Sequence, residues 1–400
     1  MDLQPRGYEK VTRLIAKGVT IPNPLTLDIG DDVDIDRISG DGVVLHPGCR
    51  IHGTRTVISA GCILGAEAPV TLTDCRLSTG VQLKGGYFKR SVFLDGANMG
   101  LGAQVREGCL LEEEANGAHC VGLKQTILFP FVTLGSLINF CDCLMAGGTS
   151  RKDHSEVGSS YIHFNYTPDG DKTTASLFGD VPRGVMLDQP PVFLGGQGGA
   201  VGPVRVGYGT VVAAGSVLLE DVLEDNQLVA AVPPPGFKRA RTPRTYKNLV
   251  RVVRNNVIYL ASLVALEQWY RQVRRPFFET TELGPFVYEG AIDMLALATE
   301  ERSKRILAMA GKVPTTSSAF EQFSQRAGDV CAITGSRDLP SGDAFVEALH
   351  ATAVSGDYLA TVQSMSPELR AAGVAWLQDI VDTFCHRADE VLDTMDLFDF

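Results

Sequence analysis

The chain has no excess of basic charge: 36 Lys and Arg stand against 47 Asp and Glu, a formal net charge of −11. A phosphate backbone demands a basic surface, so no nucleic-acid partner is expected. Long apolar runs are also scarce. None reads as the roughly 18 uninterrupted residues of a membrane span. The opening Met1-Asp2-Leu3-Gln4-Pro5 has no apolar signal core. A cytoplasmic protein without a membrane partner is the expectation. CxxC pairs are absent, and the nine cysteines are odd in number, which argues against a disulfide framework or a zinc ribbon. Cys141 and Cys143 would share one side of an extended strand. Packing as small apolar residues is their plainer role. His46 and His52 stand alone, without the third imidazole a zinc site of that type needs, so no metal is expected.

What is present is a period. With 400 residues, 44% apolar and 21% charged, the composition is that of a globular protein long enough for two domains. Every sixth residue from Leu45 runs Leu45, Ile51, Val57, Ile63, Pro69, Cys75, Val81, Tyr87, Phe93, Met99, Val105, Leu111. None is charged. Neither a helix nor a strand sustains a period of six. A three-sided coil does, with about six residues to a side and one inward side chain per side. Glycines such as Gly48, Gly61, Gly96, Gly102 and Gly108 fall where corners belong. The period returns at Leu194, Ala200, Val206, Val212 and Leu218. At about 18 residues per turn, the stretch from Leu27 to Val222 winds on the order of ten turns.

The expected domains are an N-terminal cap over 1–26, a β-solenoid over 27–235 and a helical domain over 243–400. The pattern falters in loops near 145–156 and 167–191, and such interruptions often carry function. Val232-Pro233-Pro234-Pro235-Gly236 closes the β region. Beyond it, Leu249, Val253, Val257, Leu260 and Val264 trace a helix face, and Ser366-Pro367 opens a later helix. A basic cluster spans Lys238, Arg239, Arg241, Arg244, Lys247, Arg251 and Arg254. It reads as a solvated face, or as a grip on a coenzyme phosphate.

The run Tyr161-Ile162-His163-Phe164-Asn165-Tyr166, then Asp169-Gly170-Asp171-Lys172 and Phe178-Gly179-Asp180, is more specific. Together with the hexads it resembles the hexapeptide-repeat acyltransferase superfamily. It is most similar to the acetyltransferase half of bifunctional glucosamine-1-phosphate acetyltransferase/uridylyltransferase enzymes, over about residues 155–233. The resemblance implies a left-handed parallel β-helix, a homotrimer and acetyl-CoA as acyl donor. It implies an amino sugar phosphate or nucleotide sugar as acceptor. By the same resemblance Asn165 and Tyr166 touch acetyl-CoA and the acceptor, Lys172 binds the sugar phosphate, and the Ala213 backbone meets the coenzyme. Small residues such as Gly196 would leave room for the pantetheine arm. Arg151 and Lys152 are further cations suited to a phosphate.

Two departures stand out. The family's catalytic histidine phrase is missing, and its position falls near Asp142. The arginine expected to meet the coenzyme phosphates corresponds to Ala231. N-acylation needs a base, and the candidates, in order, are His154, Asp142 and His163. Nothing in the sequence resembles the Gly-rich pyrophosphorylase domain. The competing expectation is a non-catalytic β-helix that binds a sugar nucleotide or a partner enzyme.

Overall fold

The computed structural model describes residues 4–232, 235–336, 338–352 and 356–398. Pro233 and Pro234 of the proline run therefore lie outside the described residues. Helix α1 (Tyr8–Lys17) buries Val11 and Leu14 against the first turn. Its Lys10 ammonium donates to the carbonyls of Gly30, Asp31 and Val33.

From there the chain winds into a three-sided β-solenoid of parallel strands. A ten-stranded sheet takes one strand from each turn and forms face 3. A 16-stranded sheet forms faces 1 and 2 together. It is continuous because Gly122–Leu128 and Asn139–Met145 run through the edge between them. Face 1 includes Arg50–His52, Gly86–Lys89, Ala103–Val105 and Ile162–Phe164. Face 2 includes Arg76–Leu77, Ser91–Phe93, Cys109–Leu111 and Ser176–Phe178. The edges demand left-handed backbone: Gly61 (φ 69°) and Gly80 (φ 71°) stack on one of them.

The fixed stride of six does not hold throughout. Leu64 and Phe88 are buried where the stride names Ile63 and Tyr87. An extra residue at the edge between Ile51 and Ile58 moves the inward position by one, and further residues around Glu67 and Ala68 shift it again before Leu72. Inside face 2, Ser91 pairs with Cys109 and Cys143 with Ser176, a column of small side chains that, with Cys75, holds three of the seven buried thiols. Cys141 and Cys143 do not share a side. The chain turns at Asp142 (φ 58°), leaving Cys141 half-buried on face 1 and Cys143 buried.

Face 2 is apolar outside as well as inside. Val57, Val92, Leu110, Ile127, Leu144 and Leu177 are all buried there. Such a face must be covered, and the helices cover it. After α2 (Val181–Gly184) come α3 (Leu249–Trp269), α4 (Arg275–Phe278), α5 (Gly284–Ala310), α6 (Ser318–Ala332), α7 (Asp343–Thr352), α8 (Tyr358–Gln363) and α9 (Pro367–Val391). Helix α5 lies on the face 2 strands Arg76–Leu77, Ser91–Phe93 and Cys109–Leu111, and α3 lies on Ser176–Phe178. The segment Leu249–Phe278 is long and apolar enough to cross a membrane, contrary to the sequence expectation; it is mostly buried as a core helix.

Polar groups stitch the two parts together. A π-helical turn, Tyr270–Arg274, offers Tyr270 and Arg274 to the solenoid. The Tyr270 hydroxyl donates to Glu112 at 2.5 Å, and Arg274 pairs with both Glu112 and Glu113. Arg76 donates to Asp293 at 2.9 Å and to the Phe286 carbonyl at 2.6 Å.

Candidate active site

Edges are where a solenoid can aim side chains away from its own ladder. Three edges here carry the expected residues, and a single chain does not bring them together.

The edge between faces 1 and 2 holds the strongest constellation. The loop 165–175 leaves the coil between Ile162–Phe164 and Ser176–Phe178. Asp142, one turn above, is the bend of its strand. The Asn165 side-chain amide donates to Asp142 Oδ2 at 3.3 Å. Tyr166 is 75% exposed, and Lys172 (φ 58°) is exposed on the same loop. The base of the loop is tied down: Tyr246 donates to Asp171 Oδ2 at 2.8 Å, Asn256 to the Thr173 carbonyl at 3.2 Å, and Lys312 to the Asp169 carbonyl at 2.6 Å. Burial and the bond to Asp171 both raise the Tyr246 pKa.

Two base candidates are corrected by their surroundings. Asp142 is buried, and both carboxylate oxygens are occupied, Oδ1 by Arg302 at 2.5 Å and Oδ2 by Asn165. A carboxylate enclosed this way faces its two donors rather than an incoming amine. His163 points into the solenoid between Phe140 and Phe178. Its Nε2 lies 2.7 Å from the Ser176 hydroxyl, and burial lowers its pKa to about 4. It is a core residue.

The edge between faces 2 and 3 carries the antiparallel hairpin Gly148–Ser150 and Asp153–His154. His154 is half-buried, with Nδ1 3.0 Å from the Arg151 carbonyl and Nε2 4.0 Å from Glu156. Arg151 is not a free cation. Its guanidinium donates to the carbonyls of Glu114 and Phe131 and to the Thr133 hydroxyl, pinning the hairpin to the two turns above. Lys152 is exposed at the tip.

Gly196 and Ala213 sit at the third edge, between faces 3 and 1. Small residues are needed there for close stacking. A Cβ on Gly195 would lie 2.4 Å from the Ala214 nitrogen, and one on Gly158 would lie 2.4 Å from the Gly196 nitrogen. Ala213 is half-exposed. Ala231, in place of an arginine, donates its backbone N–H to Ser216. In the basic cluster, Arg241 pairs with Asp169, Arg251 with Asp221, and Arg254 with the Leu397 carbonyl. Those three are spent on internal contacts.

The sequence reading missed a cation ladder. Outward on face 1, directly above the Asp142–Asn165 edge, Lys89, Arg106 and Lys124 stack on successive turns. Arg106, Lys124, Asn139 and Cys141 line a shallow cavity of about 390 Å³. Burial pushes the Cys141 thiol up to about 12, so it stays protonated. Partial burial works against Glu107 ionising, yet Lys124 at 2.8 Å holds its carboxyl below the usual range. The signal was available: Arg106 and Lys124 are 18 positions apart, one full turn.

No protein-family model matches the chain. Curated relatives do. The bifunctional protein GlmU of Thermotoga petrophila is 28% identical over 214 residues, covering 53% of this chain and 42% of that protein. GlmU of Kineococcus radiotolerans is 28% identical over 236 residues, covering 58% and 43%. Over its hexapeptide-repeat region the chain is similar to GlmU. It spans about two-fifths of the length of these GlmU proteins. Among solved structures, the UDP-N-acetylglucosamine acyltransferase from Campylobacter jejuni aligns at 13% identity over 51% of this chain and 67% of its own, with a TM-score of 0.15. LpxA from Acinetobacter baumannii aligns at 11% identity over 70% and 95%, also with a TM-score of 0.15. At Phe140-Cys141-Asp142, where the sequence reading looked for a histidine phrase, a helix-borne arginine holds the aspartate.

Proposed function

We propose that the chain transfers an acetyl group from acetyl-CoA to the amine of an amino sugar phosphate or nucleotide sugar. The observation that carries this reading is the shared edge: Asn165, Tyr166 and Lys172 lie directly below the Arg106–Lys124 ladder. A side-chain amide has two donor hydrogens. One from Asn165 is spent on Asp142, and the other is free for a thioester oxygen that becomes an oxyanion. Lys172, Arg106 and Lys124 suit the phosphate of the acceptor. In the reaction the amine nitrogen attacks the thioester carbon. CoA leaves as thiolate, and the amine proton passes to a base.

His154 is the remaining imidazole of the three bases, and it lies on another edge. A homotrimer resolves this. The helices close face 2, so an assembly has faces 1 and 3 to use. Both expose apolar side chains, Ile162, Phe164 and Val201 on face 1, and Phe193, Val211 and Leu228 on face 3. With the edge between faces 3 and 1 toward a threefold axis, the Asn165 edge of one copy adjoins the hairpin edge of the next. His154 and Lys152 of a neighbouring copy then complete the site.

The test is CoA release from acetyl-CoA in the presence of amino sugar phosphates. Asn165→Ala is expected to lower kcat by about 10²–10³ through loss of one oxyanion donor. His154→Ala is expected to abolish turnover while leaving the assembly intact. Wild-type rates in both variants would remove the assignment. The engagement of Asp142 by Arg302 favours a second reading, a site that binds a sugar nucleotide without turnover. Under that reading a nucleotide sugar raises the melting temperature and acetyl-CoA does not.

A further inference from the structure

We propose that Arg302, on helix α5, is a positioning residue for acyl transfer, so that the helical region is an integral part of the active site. This rests on the acyl-transfer reading of the Asn165–Lys172 loop.

Three observations meet at Arg302. First, it is 2% exposed, although it carries a charge that favours water. Second, its guanidinium spans the two halves of the candidate site. Nη2 donates to Asp142 Oδ1 at 2.5 Å, and Nη1 donates to the Lys172 carbonyl at 3.3 Å. Third, Asp142 passes the constraint on, because its other oxygen accepts from the Asn165 amide at 3.3 Å. The chain Arg302–Asp142–Asn165 thus fixes which way the Asn165 amide faces. The bond to the Lys172 carbonyl holds that residue in its left-handed conformation beside it.

The chemistry follows. Asn165 acts as an oxyanion donor only if its nitrogen, and not its oxygen, faces the thioester. The Asp142 carboxylate enforces that, since a carboxylate accepts and does not donate. Arg302 anchors Oδ1 of Asp142 and leaves Oδ2 facing the Asn165 amide. Without Arg302 the carboxylate loses that anchor and is free to rotate about its own side chain. Asn165 then loses its orientation while the coenzyme-binding surface stays in place. The contacts from Tyr246, Asn256 and Lys312 brace the same loop, through the Asp171 carboxylate and the Thr173 and Asp169 carbonyls, but do not reach Asn165. They make the helical region a clamp, and Arg302 its link to the reacting group.

The test uses the full chain with Arg302→Lys, Arg302→Gln, Asp142→Asn and the Arg302→Gln/Asp142→Asn pair. Acetyl-CoA-dependent CoA release is expected to show kcat at least tenfold lower in each single variant, with KM for acetyl-CoA within about twofold of wild type. The double variant should be no worse than the poorer single one, because both substitutions break the same chain. Wild-type kcat in Arg302→Lys and Arg302→Gln, or losses that multiply in the double variant, would overturn the proposal. If Arg302→Gln fails to fold, Arg302→Lys decides. If the wild type itself transfers no acyl group, the function reading fails, and amide hydrogen exchange still tests the clamp. Exchange at least tenfold faster over 165–175 in Arg302→Lys, with the rest of the solenoid unchanged, supports it. Unchanged exchange in that loop, or uniform loosening, contradicts it.

Discussion

The His163 imidazole is packed edge-on against Phe140 and Phe178, and burial lowers its pKa to about 4 from 6.5. The unfolded chain therefore binds a proton below pH 6.5 that the folded chain refuses until about pH 4. Its contribution to stability is fully present above pH 6.5 and is lost as the pH falls through the folded value. That corresponds to about 3 kcal/mol across the window. Denaturant titrations at pH 4 and pH 7 are expected to show a smaller acid loss in His163→Gln than in the wild type. An identical loss would mean that His163 is not the group that titrates. At this scale the sequence was legible in part. The motif singles out Asn165, Tyr166 and Lys172, and all three lie on the loop 165–175. The roles of His163 and Asp142 were not legible, since spacing does not reveal that one residue faces the core and the other faces an arginine 160 positions away.

Among elements, the π-helical turn Tyr270–Arg274 shows what holds the two parts together. Arg274 is buried between Glu112 and Glu113, with its guanidinium over the rings of Tyr270 and Tyr358. Burial raises the Glu113 pKa to about 7 despite the arginine. Removing the arginine leaves two buried carboxyls to share no cation. Arg274→Met is expected to cost about 3–5 kcal/mol, measured by chemical denaturation at pH 8, where both carboxyls are driven to ionise. The loss should shrink toward pH 5, where protonation removes the unpaired charge. A cost that is flat with pH would contradict this account. The elements were legible to different degrees. The hexad period was enough for the solenoid, and Ser366 caps α9 by accepting from Leu369 N–H. The stride slipped where an edge held extra residues. The outward burial of face 2 also went unread, although triplets such as Ser91-Val92-Phe93 and Cys109-Leu110-Leu111 mark strands apolar on both sides.

For the whole molecule, the helices act as a permanent lid on face 2 and leave two faces free. On face 3, Phe193 pairs with Val211 and Val211 with Leu228, an exposed apolar ladder on successive turns. We expect this ladder to lie in the trimer contact. Val211→Asp with Leu228→Asp should convert a trimer into a 43.0 kDa monomer by light scattering, with its β-sheet circular dichroism retained. A wild-type chain that already runs as a monomer would exclude the shared site. The partition of the site among three edges was not legible from sequence, because edge identity depends on the exact length of every turn. The most direct measurement of the central claim is a crystal structure with acetyl-CoA bound. The account predicts the thioester carbonyl within hydrogen-bond distance of the Asn165 amide, beside Tyr166 and below the Arg106–Lys124 ladder. Acetyl-CoA bound elsewhere on the molecule, or no binding at saturating concentration, would contradict it.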